Sequence, residues 1–293
     1  MEAVATEDTK PSPVRIALCI SYFGQGFSGS QQQPDARTVE GVLIDACMRL
    51  GLFEDFRSAG FVSAGRTDAG VSARRQVVAL TTSYPERVVS SLNRMLPYDC
   101  WCSGWAEVPL NFNPRYSAAS RTYRYLFPGE GLDLHLMEEA VSWFIGFHDF
   151  RRIARVEEGR NPVRHILSAR IFSEDGLIVF EVSGESFLWN MVRGMATLLL
   201  AAGAGVISPD RIGTLLTEAG PRIPAAPPDS LILWDVDCNI LFNPLERSDK
   251  GDQKLRNEAD RLRIGEKLVE WLGGDRRDLF RNKEIHDKLR HLF

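Results

Sequence analysis

Residues 64–73 read Ala64-Gly65-Arg66-Thr67-Asp68-Ala69-Gly70-Val71-Ser72-Ala73. An Arg-Thr-Asp tripeptide stands between two glycines, with small residues on both sides. Gly65 and Gly70 let the backbone take conformations that other residues resist, and let it approach a ligand closely. Asp68 therefore sits on a tight loop, with Arg66 two positions away. A neighbouring guanidinium favours the charged form of a carboxylate, and the low bulk around it leaves room for a substrate. As an isolated R-x-D the pair reads more simply as a turn with a surface ion pair, worth little to stability. The surrounding elements give the loop its meaning.

Upstream, Val14 to Phe23 (VRIALCISYF) is rich in β-formers and predicts a strand. Thr38 caps a helix whose apolar residues Val39, Val42, Leu43, Ala46, Cys47 and Leu50 fall at helical spacing. Downstream, a strand is expected over Gln76 to Thr82, a helix from Pro85 to Met95 and a strand around Trp101 to Val108. The second half repeats the rhythm loosely. Strands are expected at Arg121 to Phe127, Val163 to Phe172, Leu177 to Ser183 and Leu231 to Asp237. A Glu-Asp-Gly turn (Glu174 to Gly176) joins the middle two. Helices are expected at Leu134 to Phe144, Phe187 to Ala202 and Pro209 to Ala219. Helices mixed with hairpin strands predict α+β halves with antiparallel sheets and a cleft between them. The expected organisation is a disordered lead over 1–13, an N-terminal half over 14–110, a C-terminal half over 111–245 and a charged helical extension over 246–293.

A chain of 293 residues is long enough for about two cores. Hydrophobic content of 44% and charged content of 25% are ordinary for a soluble globular protein. No apolar run approaches the ~20 residues of a membrane span, and the polar first residues are no secretory signal. The five cysteines, at 19, 47, 100, 102 and 238, form no paired or zinc-like pattern. A reducing, cytoplasmic setting is expected, with neither metal nor cofactor. A net charge of −4 argues mildly against nucleic-acid binding. Its distribution points the other way, because every basic residue between Pro11 and Asp249 is arginine, apart from histidine. Arginine offers a planar fork for phosphate and stacks on bases; arginine-rich codon usage explains the same bias. The tail from Glu246 holds 13 Lys+Arg and 11 Asp+Glu. It reads as a packed helical pair, or as an RNA contact through Arg276, Arg277 and Arg281.

Gly24-Gln-Gly26-Phe-Ser-Gly29 is literally G-x-G-x-x-G after a strand. A dinucleotide site needs that turn to open straight into a helix, whereas Gln31 to Pro34 intervene here. Such a loop can instead meet a phosphate backbone through its N–H groups and amide side chains. Arg121-Thr-Tyr123-Arg-Tyr125 alternates, so a strand there puts Arg121, Tyr123 and Tyr125 on one face. Tyr123 beside a carboxylate could stack on a base, or serve as a core aromatic. Phe187-Leu-Trp-Asn-Met-Val-Arg193 opens the apolar helix.

In this order the segments resemble the TruA-type tRNA pseudouridine synthases. The matches are Tyr22-Phe-Gly24 with Phe27 to Gln31, Thr38-Val39, Ala64 to Ala73, Gln76-Val77, Arg121 to Tyr125 and Phe187 to Arg193. They cover roughly residues 14 to 240, and the decapeptide is the most specific. The resemblance implies two ferredoxin-like (RRM-like) halves around a continuous antiparallel sheet, usually in a homodimer. It implies isomerisation of uridines in the anticodon stem-loop of tRNA (positions 38–40 of the tRNA), without cofactor or metal. By motif match Asp68 is the catalytic aspartate, Arg66 its ion-pair partner and Tyr123 the aromatic that stacks on the target uracil. Tyr22, Phe27, Gln31, Thr67, Gly70, Arg121, Phe187 and Arg193 are expected to contact substrate, Arg193 supporting either the site or the RNA.

Departures from the family pattern are Phe23, where many bacterial members carry Asp, Ser72, where many carry His, and Trp189-Asn190, where histidines are common. The Ala226 to Leu231 stretch lacks the glycine of the usual closing motif. The pattern is closer to archaeal members. Two other readings stay open: a non-catalytic RNA-binding protein on the same scaffold, and, more remotely, a dinucleotide-dependent enzyme.

Overall fold

The computed structural model describes residues 11–273 and Leu289. The 1–10 part of the expected lead and the arginines at 276, 277 and 281 lie outside the described residues. The N-terminal half runs β1 (Val14–Tyr22), α1 (Val39–Arg49), β2 (Val62–Ser63), β3 (Ser72–Thr82), α2 (Pro85–Met95) and β4 (Cys100–Val108). After a one-turn α3 (Pro114–Ser117), the chain continues through β5 (Ser120–Pro128), α4 (Leu134–Val141), β6 (Gly146–Asp149), β7 (Val163–Glu174) and β8 (Leu177–Gly184). It ends with α5 (Met191–Gly203), α6 (Arg211–Thr217), β9 (Leu231–Asp237), β10 (Asn243–Pro244) and α7 (Asp249–Gly273).

Among the described residues one sheet runs β10-β4-β1-β3-β9-β5-β8-β7-β6, with β2 added beside β3. The ladders within each half are antiparallel, which produces the expected α+β class. The joint between halves departs from the expected all-antiparallel sheet. Ser72 and Ala73 pair in parallel with Ile232 and Leu233. The decapeptide loop thus empties directly into the joint. Every residue of β1 after Val14 is buried, so both faces of this central strand are covered.

Local chemistry sets the element ends. The Thr38 hydroxyl accepts the Gly41 N–H at the start of α1, and Asp133 accepts those of His135 and Leu136 at the start of α4. Asp175 and Gly176 both take positive φ (50° and 80°) between β7 and β8, as a two-residue hairpin turn demands. The helix expected from Phe187 begins only at Met191, because Asn190 takes a left-handed conformation at φ 65°. β6 and β10 carry too few residues for a periodic signal.

Two apolar cores lie in the two halves and interlock at the joint. Val71, from the decapeptide, packs in the C-terminal core with Tyr125, Met191 and Leu231. Leu233, Val236 and Cys238 of the second half pack in the N-terminal core. All five cysteines are buried and free, and burial pushes the Cys47 thiol up to about 12. No helix among the described residues is long and apolar enough to cross a membrane.

Candidate active site at the joint of the two halves

The loop carrying Asp68 is clamped from beneath. Ala64 N–H donates to the Val77 carbonyl at 2.8 Å, and Gln76, buried, donates its Nε2 to the Gly65 carbonyl at 2.9 Å. Ser30 Oγ accepts the Thr67 N–H at 2.8 Å, while Ser30 N–H donates to the Thr67 carbonyl at 3.0 Å. The Tyr22 phenol bonds the Thr67 hydroxyl at 2.8 Å. Gly70 takes φ 85°. A Cβ on Gly24 would overlap the Gly70 carbonyl. The Gly24 to Gly29 loop therefore serves as the support of the Asp68 loop, and the helix after it starts only at Val39.

Arg193, in the first turn of α5, reaches across from the second half. Its Nη1 donates to Asp68 Oδ2 at 3.0 Å and to Asn190 Oδ1 at 3.2 Å, and its Nε donates to the Ala226 carbonyl at 2.6 Å. Arg193 is thus held on two sides and grips one oxygen of the carboxylate. Asp68 Oδ1 receives no hydrogen bond from the described residues. The pair is partly open, with side-chain exposures of 17% and 31% for Arg193 and Asp68. Arg66, the expected partner, is exposed and makes no ion pair among the described residues. This correction has a simple cause: Arg66 and Asp68 leave a loop whose middle residue, Thr67, is turned inward, and the cation that meets Asp68 lies 125 positions away.

Tyr123, on β5, pairs with Leu233, which on its other side pairs across the joint with Ala73. Its ring meets Phe187 edge-on at 5.0 Å. Burial raises its phenol to about 12; Arg121 opposes that shift and Asp68 adds to it. At neutral pH the phenol is a neutral hydroxyl, and it has no hydrogen-bond partner among the described residues. A carboxylate oxygen and a phenol without hydrogen-bond partners among the described residues thus lie near enough for the Asp68 charge to act on the phenol.

Other expected contacts turn inward. Tyr22 and Phe27 are buried, Phe27 beneath the Arg37 guanidinium at 4.1 Å. Thr67 is buried as well, so these three residues shape the loop and offer it no outer surface. Arg121 spends both terminal nitrogens on four carbonyls, those of Ala118, Glu185, Ala64 and Arg115, at 2.7–3.2 Å. It stitches the halves together behind the loop, and desolvation lowers its pKa. Gln31 is exposed. The segment from Pro224 to Asp229 showed in the sequence only as a departure from the family's closing motif, and its role at the site was missed. Its Ala226 carbonyl fixes Arg193, its Pro224 carbonyl accepts the Thr197 hydroxyl at 2.8 Å, and Pro228 and Asp229 lie against Gly70.

Comparison with known proteins identifies the family. A family model described as tRNA pseudouridine synthase matches residues 140–239. A protein of Methanoculleus marisnigri named tRNA pseudouridine synthase A is 54% identical over 86% of this chain and 92% of its own length. Proteins of the same name from Methanosphaerula palustris and Methanocorpusculum labreanum are 47% and 44% identical, over 90% and 93% of this chain and 95% and 97% of their own lengths. A chain from the crystal structure of a Cbf5-Nop10-Gar1 complex aligns at TM-score 0.34 with 15% identity, over 64% of this chain and 45% of that one, a likeness too slight to build on. On identity and coverage with the archaeal relatives, the chain belongs to the tRNA pseudouridine synthase A family.

Proposed function

We propose that this protein isomerises uridine to pseudouridine in the anticodon stem-loop of tRNA, with Asp68 as the catalytic carboxylate. The observation that carries the reading is the Asp68 carboxylate itself, gripped at Oδ2 by Arg193 and open at Oδ1, beside the unpaired Tyr123 phenol. The reaction breaks the N1–C1′ bond, turns the uracil and forms a C5–C1′ bond. The C5 proton leaves and N1 gains one, so no external reagent is consumed.

Oδ1 is the oxygen that acts on the sugar, either by attacking C1′ or by taking the proton on the neighbouring C2′. Arg193 holds the other oxygen still, so the carboxylate is oriented before substrate arrives and pays little reorganisation during reaction. The target base must first leave its stack, at a cost of a few kcal/mol. Stacking on the Tyr123 ring, worth about 1–3 kcal/mol, offsets much of that. The phenol, neutral at working pH, donates a hydrogen bond to the base as it turns. Arg66, exposed on the same loop, is free to meet a phosphate of the flipped nucleotide. A homodimer belongs with this reading, and light scattering on the purified protein tests it.

The test maps pseudouridine in tRNA transcripts by carbodiimide adducts and primer extension. Wild type is expected to mark positions in the anticodon stem-loop, whereas Asp68→Ala marks none and still binds tRNA. Modification by Asp68→Ala would refute the assignment, and marks confined to another arm would refute the target.

A further inference from the structure

Between β8 and α5, burial alternates along residues 187–189. Leu188 is buried in the C-terminal core. Phe187 and Trp189 on either side of it are less buried. Phe187 meets the Tyr123 ring, whereas Trp189 remains 47% exposed. The exposure does not come from a loose backbone. Arg155 N–H donates to the Trp189 carbonyl at 2.7 Å within an antiparallel bridge, and Met191 N–H donates to that of Leu188 at 3.1 Å. The turn bearing Arg155 is fixed in its own right, since Gly194 of α5 packs so closely on Ile153 that a Cβ there would overlap the Ile153 carbonyl.

Arg155 completes the arrangement. Its guanidinium carbon lies 4.2 Å from the Trp189 ring centroid, and its charge meets no carboxylate among the described residues. The core does not need this ring, because Leu188 fills it. What remains is a rigid aromatic plane with an uncompensated planar cation against it, two residues from the aromatic that backs Tyr123. That combination suits a nucleotide: the base stacks on the ring and the phosphate meets the guanidinium.

We propose that Trp189 and Arg155 form a second stacking position of the tRNA site, holding the base and phosphate of a nucleotide that flanks the target uridine. The inference rests on the Asp68–Tyr123 cleft being where tRNA is isomerised. Because every base has a π-face, the position grips flanking nucleotides of any sequence and fixes the register of the target.

The test uses the full-length protein and anticodon stem-loop RNA. Binding is measured in the Asp68→Ala background, so affinity is read without turnover, and single-turnover rates are measured with Asp68 intact. Trp189→Ala is expected to weaken binding about 5- to 150-fold, the span of one base stack, with the saturated rate within about threefold of wild type. Trp189→Phe is expected to recover most of the loss, which a folding defect would not allow. Arg155→Ala is expected to lower the salt dependence of binding by about one phosphate contact. An abasic nucleotide on one side of the target should weaken wild type as Trp189→Ala does, and should cost the Trp189→Ala protein little more. Wild-type affinity in Trp189→Ala, or full abasic penalties on both sides in that variant, would overturn the platform. A wild type that binds the RNA but forms no pseudouridine would instead overturn the isomerase reading, while the binding series still decides the platform.

Discussion

Replacing Arg193 by methionine asks whether Asp68 acts because it is held. The substitution keeps the helical backbone and much of the apolar stem. It leaves Asp68 Oδ2 and the Ala226 carbonyl without their donor. A hydrogen bond to a charged group contributes about 1.5–3 kcal/mol, and the bare attraction of unit charges ~4 Å apart runs from about 1 kcal/mol in water to about 4 at an effective dielectric of 20. With the pair 17% and 31% exposed, about 2–3 kcal/mol is the expected loss. If that energy orients the carboxylate in the transition state, the single-turnover rate falls about 30- to 150-fold. Arg193→Lys keeps the charge but not the two-sided grip on Asp68 and Ala226, and should fall between. The assay is product formation at saturating enzyme, with tRNA affinity measured alongside. An unchanged rate in Arg193→Met, or a loss confined to affinity, would refute the positioning role.

Four further outcomes rest on the same geometry. Gly24→Ala must push the Gly70 carbonyl aside, so urea unfolding should show a loss of about 1–3 kcal/mol, as for other overpacked sites. Gly65→Ala meets nothing within 4 Å, and its stability should stay within about 0.5 kcal/mol; a fall in tRNA affinity there would report close approach of the RNA. Arg121→Met strips four carbonyls of their donor and should cost about 2–3 kcal/mol of stability, read as a lower Tm. For Tyr123, burial raises the phenol from 10.0 to about 12. The unfolded chain therefore releases this proton first, and its contribution to stability, intact below pH 10, is lost as pH climbs towards 12. The wild-type minus Tyr123→Phe absorbance at 295 nm should show tyrosinate only near the top of that window; ionisation near pH 10 would show that the ring is not buried as described.

Much of the architecture was legible because it rests on local signals. Thr38, Pro85 and the Glu174 to Gly176 turn mark element ends by capping and turn chemistry, and the structure keeps them. The start of α5 was misplaced by four residues, since apolar Phe187 and Leu188 carry the helical pattern back into the segment that precedes the helix. Only the left-handed Asn190 ends it. The parallel joint of β3 with β9 was invisible, because two paired residues leave no periodic trace. At the site, the Asp68 loop stood out through its glycines, whereas strand alternation alone left Tyr123 equally a core aromatic and only the family resemblance gave it a role. The Arg193–Asp68 pair could not be read, since proximity across 125 positions is decided by the joint and not by neighbours in sequence. Arg121 shows the same limit: an arginine on a polar strand looks like an RNA contact until four backbone carbonyls surround it.

In the proposed reaction one carboxylate, Asp68, isomerises uridine in tRNA. Release of tritium from uracil C5 of labelled tRNA tests it most directly, because the C5 proton leaves only when the C5–C1′ bond has replaced N1–C1′. Wild type is expected to release tritium with a full single turnover, and Asp68→Asn, nearly the same in shape, to release none while binding the same tRNA. Release by Asp68→Asn at a rate near that of wild type would contradict the account.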